Sequence, residues 1–180
     1  MKIQNFPDHS SEPSELGQME NSCGVLAAWG VLTYFNKFIG AIPDLVRLCR
    51  YTINDGVFTI ALASALRQRG LTVDFFTDPD PDPNARDMSF YPIAAMLGVR
   101  INPAIGIDAL LAKVNKRQIP VVLFMSDEET GHLSPMLGSG ADGSIHLPYY
   151  YPPLMPKDEF VRRWSTPDVL RQCLIASDLA

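Results

Sequence analysis

The longest apolar run begins abruptly at Cys23. From Cys23 through Val25, Leu26, Ala27, Ala28, Trp29, Val31, Leu32 and Tyr34 to Phe35 it has hydrophobic residues on every side of a helical wheel. A helix of that kind is buried all round, so the pattern predicts a central helix from near Cys23 to Asn36 or Lys37. Asn21 and Ser22 stand where N-caps are favoured. Ile42-Pro43-Asp44 opens a second predicted helix, with proline in its first turn and Leu45, Val46, Leu48 and Cys49 on its apolar side. Asn54-Asp55-Gly56 is a turn signal. Phe58 to Arg69 predicts a third helix stopped by Gly70, and Leu71 to Phe76 a strand. The Asp-Pro alternation over 78–82 is incompatible with a helix and reads as an extended loop. A short helix is predicted near Phe90 to Leu97, and a longer one over Ile107 to Lys116.

The pattern changes at Ile119. Pro120 to Met125 is a short apolar run of buried-strand type, and Ser126 to Gly131 a polar loop. His132 to Gly138 predicts a second strand, confined to an edge or a bulge by Pro135. Gly140-Ala141-Asp142-Gly143 is a hairpin turn, with Ser144 to Leu147 as the returning strand. Tyr149 to Pro153 crosses irregularly. Asp158 to Trp164 is a short helix, and Val169 to Ala176 a last strand. Helices first and an antiparallel sheet second is an α+β arrangement. The 180 residues divide into a loosely ordered polar lead, 1–15, and a single domain, 16–180.

Composition narrows the function. Fifteen Lys and Arg against twenty Asp and Glu leave a net charge of −5 without a basic run, which argues against nucleic acid as a partner. Three cysteines far apart, with no CxxC pair, suit a reducing compartment and offer no metal-site spacing. The polar N-terminus lacks a signal-peptide apolar region, and no apolar run reaches membrane-spanning length. The expectation is a cytoplasmic protein, with export by a signal-less route as the exception. The oligomeric state is unspecified.

The chemistry gathers at Cys23. A helix start offers unpaired N–H groups and a partial positive charge, which favour thiolate. Gln18 upstream is an N–H donor suited to an oxyanion. Of the three histidines, His9 lies in the lead, and His132 begins a strand after a polar loop, where its side chain can reach across a cleft. Spacing alone leaves Cys23 open as a nucleophile or a small core residue, and His132 as a base or a hydrogen-bonded strand end. Cys49 and Cys173 fall on core patterns.

Four segments in order resemble the papain-like thiol enzymes that include the bacteriocin-leader (double-glycine) processing peptidases and the phytochelatin synthases. Gln18…Asn21-Ser22-Cys23-Gly24, leading into an alanine- and leucine-rich helix, resembles the nucleophile motif. Gly56 with Leu62, Leu66 and Gly70-Leu71 resembles the second helical segment. Ile107 to Leu110, Ile119 to Val122 and Gly131-His132 resemble the helix, strand and histidine strand. Asp158-Glu159-Phe160…Arg163-Trp164 and the apolar strand after it resemble the close of the peptidases. Gly131 to Pro135, with Tyr151-Pro152-Pro153 downstream, is similar to phytochelatin synthases. The resemblance implies a two-layer fold with a central nucleophile helix packed on the sheet. It implies Cys23 as nucleophile, His132 as general base, and Gln18 with the Cys23 N–H as oxyanion hole. A peptide or protein is then the substrate, and no metal or organic cofactor is needed.

Two positions depart from that family. Its glutamine stands six residues before the cysteine, and here five. Where it has an Asp or Asn to orient the histidine, this chain has Leu147 or Pro148, which leaves His146 as the nearby third-member candidate. The implied activity is peptide cleavage or acyl transfer. The alternatives are a peptide-binding module of the same fold and γ-glutamyl transpeptidation.

Overall fold

The computed structural model describes residues 3–127 and 130–178. Residues 128 and 129, inside the predicted polar loop, and the outermost two at each end lie outside the described residues. The first half carries α1 (Ser14–Gly17), α2 (Cys23–Tyr34), α3 (Ile42–Leu48) and α4 (Thr59–Gln68). After these come β1 (Thr72–Thr77), α5 (Ala85–Met88), α6 (Tyr91–Met96) and β2 (Arg100–Pro103). The second half carries α7 (Ile107–Leu111), β3 (Gln118–Met125), β4 (Gly131–Pro135), β5 (Ile145–His146), β6 (Leu154–Met155), α8 (Lys157–Trp164) and β7 (Cys173–Ser177).

A five-stranded sheet runs β2-β1-β7-β3-β4. The last strand is therefore threaded into the middle, antiparallel to both β1 and β3. Two expectations need correction. The sheet is mixed, because β2 pairs parallel with β1. It is also not confined to the second half, because β1 and β2 come from the first. The predicted returning strand over 144–147 shortens to β5 and leaves the main sheet. It pairs with β6 in a separate two-stranded sheet, and its His146 also exchanges backbone hydrogen bonds with the Leu137–Gly138 segment. The helix predicted to Lys116 stops at Leu111, because Asn115 folds a tight turn: its Oδ1 accepts from the Arg117 N–H at 2.9 Å.

Side-chain alternation divides the sheet's faces. Leu123 pairs with Leu133, and Phe124 with His132. Leu133 faces α2, where a Cβ on Gly24 would come 3.1 Å from its Cδ1. On the other face Phe124 meets Phe160 of α8 at 5.8 Å between ring centroids. All five residues of β7 are buried, as expected of a central strand covered on both faces. Edge strand β4 ends at Pro135, where a missing N–H costs no ladder bond.

Helix α2 is buried from Gly24 through Leu32. Two glycines let other segments touch its backbone. A Cβ on Gly24 would sit 2.6 Å from the Val57 Cβ, and one on Gly30 would sit 2.3 Å from the Tyr149 Oη. The lead also docks on this body: Ile3 is buried and donates its N–H to the Leu137 carbonyl at 3.0 Å. Among the described residues no helix is long and apolar enough to cross a membrane.

Candidate active site

Cys23 is the first residue of α2 and is partly exposed. The polar residues before it do not cap the helix. The Ser22 hydroxyl donates instead to the Leu16 carbonyl at 3.1 Å, and the Asn21 amide to the Ile53 carbonyl at 2.8 Å. Asn21 adopts φ 51°, a left-handed turn that asparagine tolerates better than most residues. Gly56 packs against it at φ 64°, and a Cβ there would approach the Asn21 carbonyl to 3.0 Å. The first-turn amides of α2 are thus free of a side-chain cap, and the sulfur lies among amide donors from Leu133, Gly24 and Cys23 itself.

Burial nevertheless wins over those donors and pushes the Cys23 thiol above its ordinary value. The helix terminus alone implies thiolate, but the resting side chain is a neutral thiol. Cys49 and Cys173, fully buried in the core, are each pushed up to about 12. Cys23 is the cysteine of the three that solvent reaches.

His132 lies on β4, one residue from the Leu133 amide that meets the sulfur, but its side chain points to the Phe124 face of the sheet, opposite Leu133 and α2, and it does not line the Cys23 cleft. Its ring is 5.5 Å from both the Phe124 and Tyr150 rings, edge-on to each. Nε2 is 3.0 Å from the Tyr149 carbonyl oxygen. A carbonyl only accepts, so this contact assigns the proton to Nε2 and leaves a lone pair on Nδ1. Desolvation lowers the His132 pKa, the Tyr149 carbonyl partly opposes that, and His9 adds a small further lowering. The imidazole is therefore neutral at rest. Among the described residues no hydrogen bond joins it to Cys23, and Nδ1 has no other partner.

The Tyr149 carbonyl takes the place beside the ring that the sequence suggested for His146. His146 lies in β5 and borders a separate cavity of about 710 Å³ beneath the lead, with His9 and Pro148. A backbone carbonyl leaves no signal in a sequence, since any residue type supplies one. Tyr149 itself was legible only as part of an irregular crossing. Gln18 closes α1 as its C-cap and is exposed, five positions before the sulfur.

Cys23 opens onto a cleft of about 480 Å³, whose walls include Val57, Phe58, Gly131 and Leu133. Gln172 was not singled out from the sequence. It borders this cleft, is 8% exposed, and spends its carbonyl on the Leu123 N–H and the Trp164 Nε1–H. Its side-chain amide has no partner among the described residues. The backbone turns Gln172 into place through left-handed Leu170 and Arg171 (φ 52° and 45°), held by the two-pronged Arg171–Asp78 ion pair at 2.6 and 2.7 Å. The pair keeps the Asp78 carboxyl below the usual range.

The fold falls within a known structural class, that of a solved peptidase domain. The chain is similar to the peptidase domain of Streptococcus ComA, a bi-functional ABC transporter involved in a quorum-sensing pathway. The TM-score is 0.52, with 12% identity over 88% of this chain and 93% of that one. At that identity the likeness is one of fold. No family model matches the chain. No curated protein sequence matches it either.

Proposed function

We propose that the protein is a papain-like thiol peptidase or acyl transferase acting on a peptide amide, with Cys23 as nucleophile and His132 as general base. The observation that carries this is the Tyr149 carbonyl on His132 Nε2. It fixes the tautomer whose Nδ1 lone pair can accept a proton. At rest the ring lies on the Phe124 face of the sheet, opposite the Leu133 face that meets the sulfur, so attack requires the His132 side chain to turn towards Cys23. Both groups start neutral, so proton transfer accompanies attack. The sulfur bonds to the carbonyl carbon, and the thiol proton passes to Nδ1. The Cys23 N–H and the Gln18 amide receive the oxyanion. Collapse expels the amine, which takes the proton from His132 and leaves an acyl-enzyme. Water or a second amine then receives the acyl group. The fold shared with a peptidase domain supports the same reading.

A proteome-derived peptide library, digested and read by mass spectrometry, tests it. Wild type is expected to generate new termini. Cys23→Ala should generate none, and Gln18→Ala should lower kcat by about a hundredfold or more. Identical digests from wild type and Cys23→Ala would refute the proposal. The raised thiol pKa favours a second reading, a module that binds peptides without cleaving them. In that case both proteins bind library peptides and neither cuts them.

A further inference from the structure

The cleft at Cys23 is lined by four aspartates, Asp55, Asp80, Asp87 and Asp168, and by no lysine, arginine or histidine among the described residues. One of the four is answered locally. Arg86 pairs with Asp55, donates to the Thr52 hydroxyl at 3.0 Å, and lies over the Phe58 ring 5.8 Å from its centroid. Asp87 is not answered. It is half-buried, and its carboxylate has no ion pair or hydrogen bond among the described residues. Burial and the neighbouring charge of Asp80 push its pKa up to about 6, and the same two carboxylates help push Tyr91 up to about 12. An uncompensated carboxylate held partly out of water beside another is costly unless a cation joins it.

A second observation points the same way. Thr59, the first residue of α4, is 2% exposed, borders the cleft, and its buried Oγ1 has no hydrogen-bond partner. Unpaired buried hydroxyls are uncommon because each forfeits its hydration. Here the hydroxyl, able both to donate and to accept, stands unpartnered in a residue of the cleft wall. Among the described residues no three ligating side chains converge closely enough for a metal ion. The donor is therefore better sought in an organic cation, whose several N–H groups can reach two carboxylates and a hydroxyl together. Val57 and Phe58 give apolar wall along which the methylenes of a long basic side chain can lie.

We propose that the acidic end of this cleft is a specificity subsite for a basic residue of the peptide, holding its ammonium or guanidinium group between Asp80, Asp87 and the Thr59 hydroxyl. The proposal deepens the peptidase reading by naming the substrate class, and it rests on that reading only for the peptide being cut.

Binding and cleavage are measured separately. Fluorescent pools of blocked hexapeptides, each with one fixed position as arginine, lysine, citrulline or norleucine, are titrated against the full-length Cys23→Ala protein. At one fixed position the arginine and lysine pools are expected to bind about tenfold more tightly than citrulline and norleucine. That ratio should collapse towards unity in a protein that also carries Asp80→Asn and Asp87→Asn. Should the substituted protein fail to fold, the amide resonances of Thr59 and Asp87 in the Cys23→Ala protein provide the reading. They should shift with the arginine pool and stay still with citrulline. A preference below about twofold at every position, or resonances that ignore the basic pools, overturns the proposal. Displacement by calcium, with no discrimination among pools, also overturns it. A binding preference without cleavage by wild type would remove the nucleophile and keep the subsite, whereas cleavage without preference would do the reverse.

Discussion

Single residues carry the proposed chemistry, and their protonation follows burial more than position. Cys23 occupies a helix start, yet desolvation leaves it a thiol. His132 is neutral for the same reason. Asp87 makes the point most testably. Its folded pKa, about 6, lies above the ordinary carboxylate value of 3.8, so the folded chain binds the proton more strongly than the unfolded one. Stability from this group is present at low pH and is lost as pH rises from near 4 through 6. Asp87→Asn should therefore raise the melting temperature at pH 8, with little effect at pH 4. Equal shifts at both pH values would contradict the assignment. The start of α2 at Cys23, the strand that carries His132 and the turn at Gly56 were legible because residue type and pattern mark them. The Tyr149 carbonyl was not, since backbone acceptors are invisible to sequence. Gln172 was missed because the reading ran the last strand on from Val169, whereas two left-handed residues start it at Cys173.

At the scale of elements, the glycines of α2 connect packing to chemistry. Gly30 gives room to Tyr149, and Tyr149 holds His132 through its carbonyl while its own hydroxyl donates to the Pro7 carbonyl at 2.9 Å. Gly30→Ala should cost about 1–3 kcal/mol of stability by overpacking. By moving Tyr149 it should also lower kcat more than it changes KM. The imidazole nitrogen resonances of His132 should lose their fixed Nε2–H pattern in that variant, a change that a purely structural defect elsewhere would not produce. Unaltered kcat and an unaltered tautomer would refute the link. The helices α2, α3 and α4 were legible from their apolar faces and Gly or Pro punctuation. Strand β2 was not, because Arg-Ile-Asn-Pro is a four-residue edge without alternating burial, formed by pairing with β1. The supposed capping by Asn21 and Ser22 also failed, because both side chains found backbone carbonyls elsewhere.

Over the whole molecule, a buried helix packs on an edge strand, so that the Leu133 amide meets Cys23 from more than a hundred positions away. The order of the longer elements was visible in the sequence, whereas α1, α5, β2 and β6 were not. The threading of β7 between β1 and β3 was not, because strand order is decided by long-range pairing. The fold is shared with a peptidase domain, and the proposed activity turns on whether His132 serves Cys23. The direct measurement is the rate of iodoacetamide alkylation at each cysteine of the native protein, resolved by mass spectrometry across pH, in wild type and in His132→Asn. The account expects Cys23 to react well ahead of Cys49 and Cys173. Its rate should rise in wild type as His132 deprotonates below the ordinary imidazole value of 6.5. In His132→Asn that rise should vanish, leaving only ionisation of the thiol above 9.0. Superimposable profiles for Cys23 in the two proteins would contradict it.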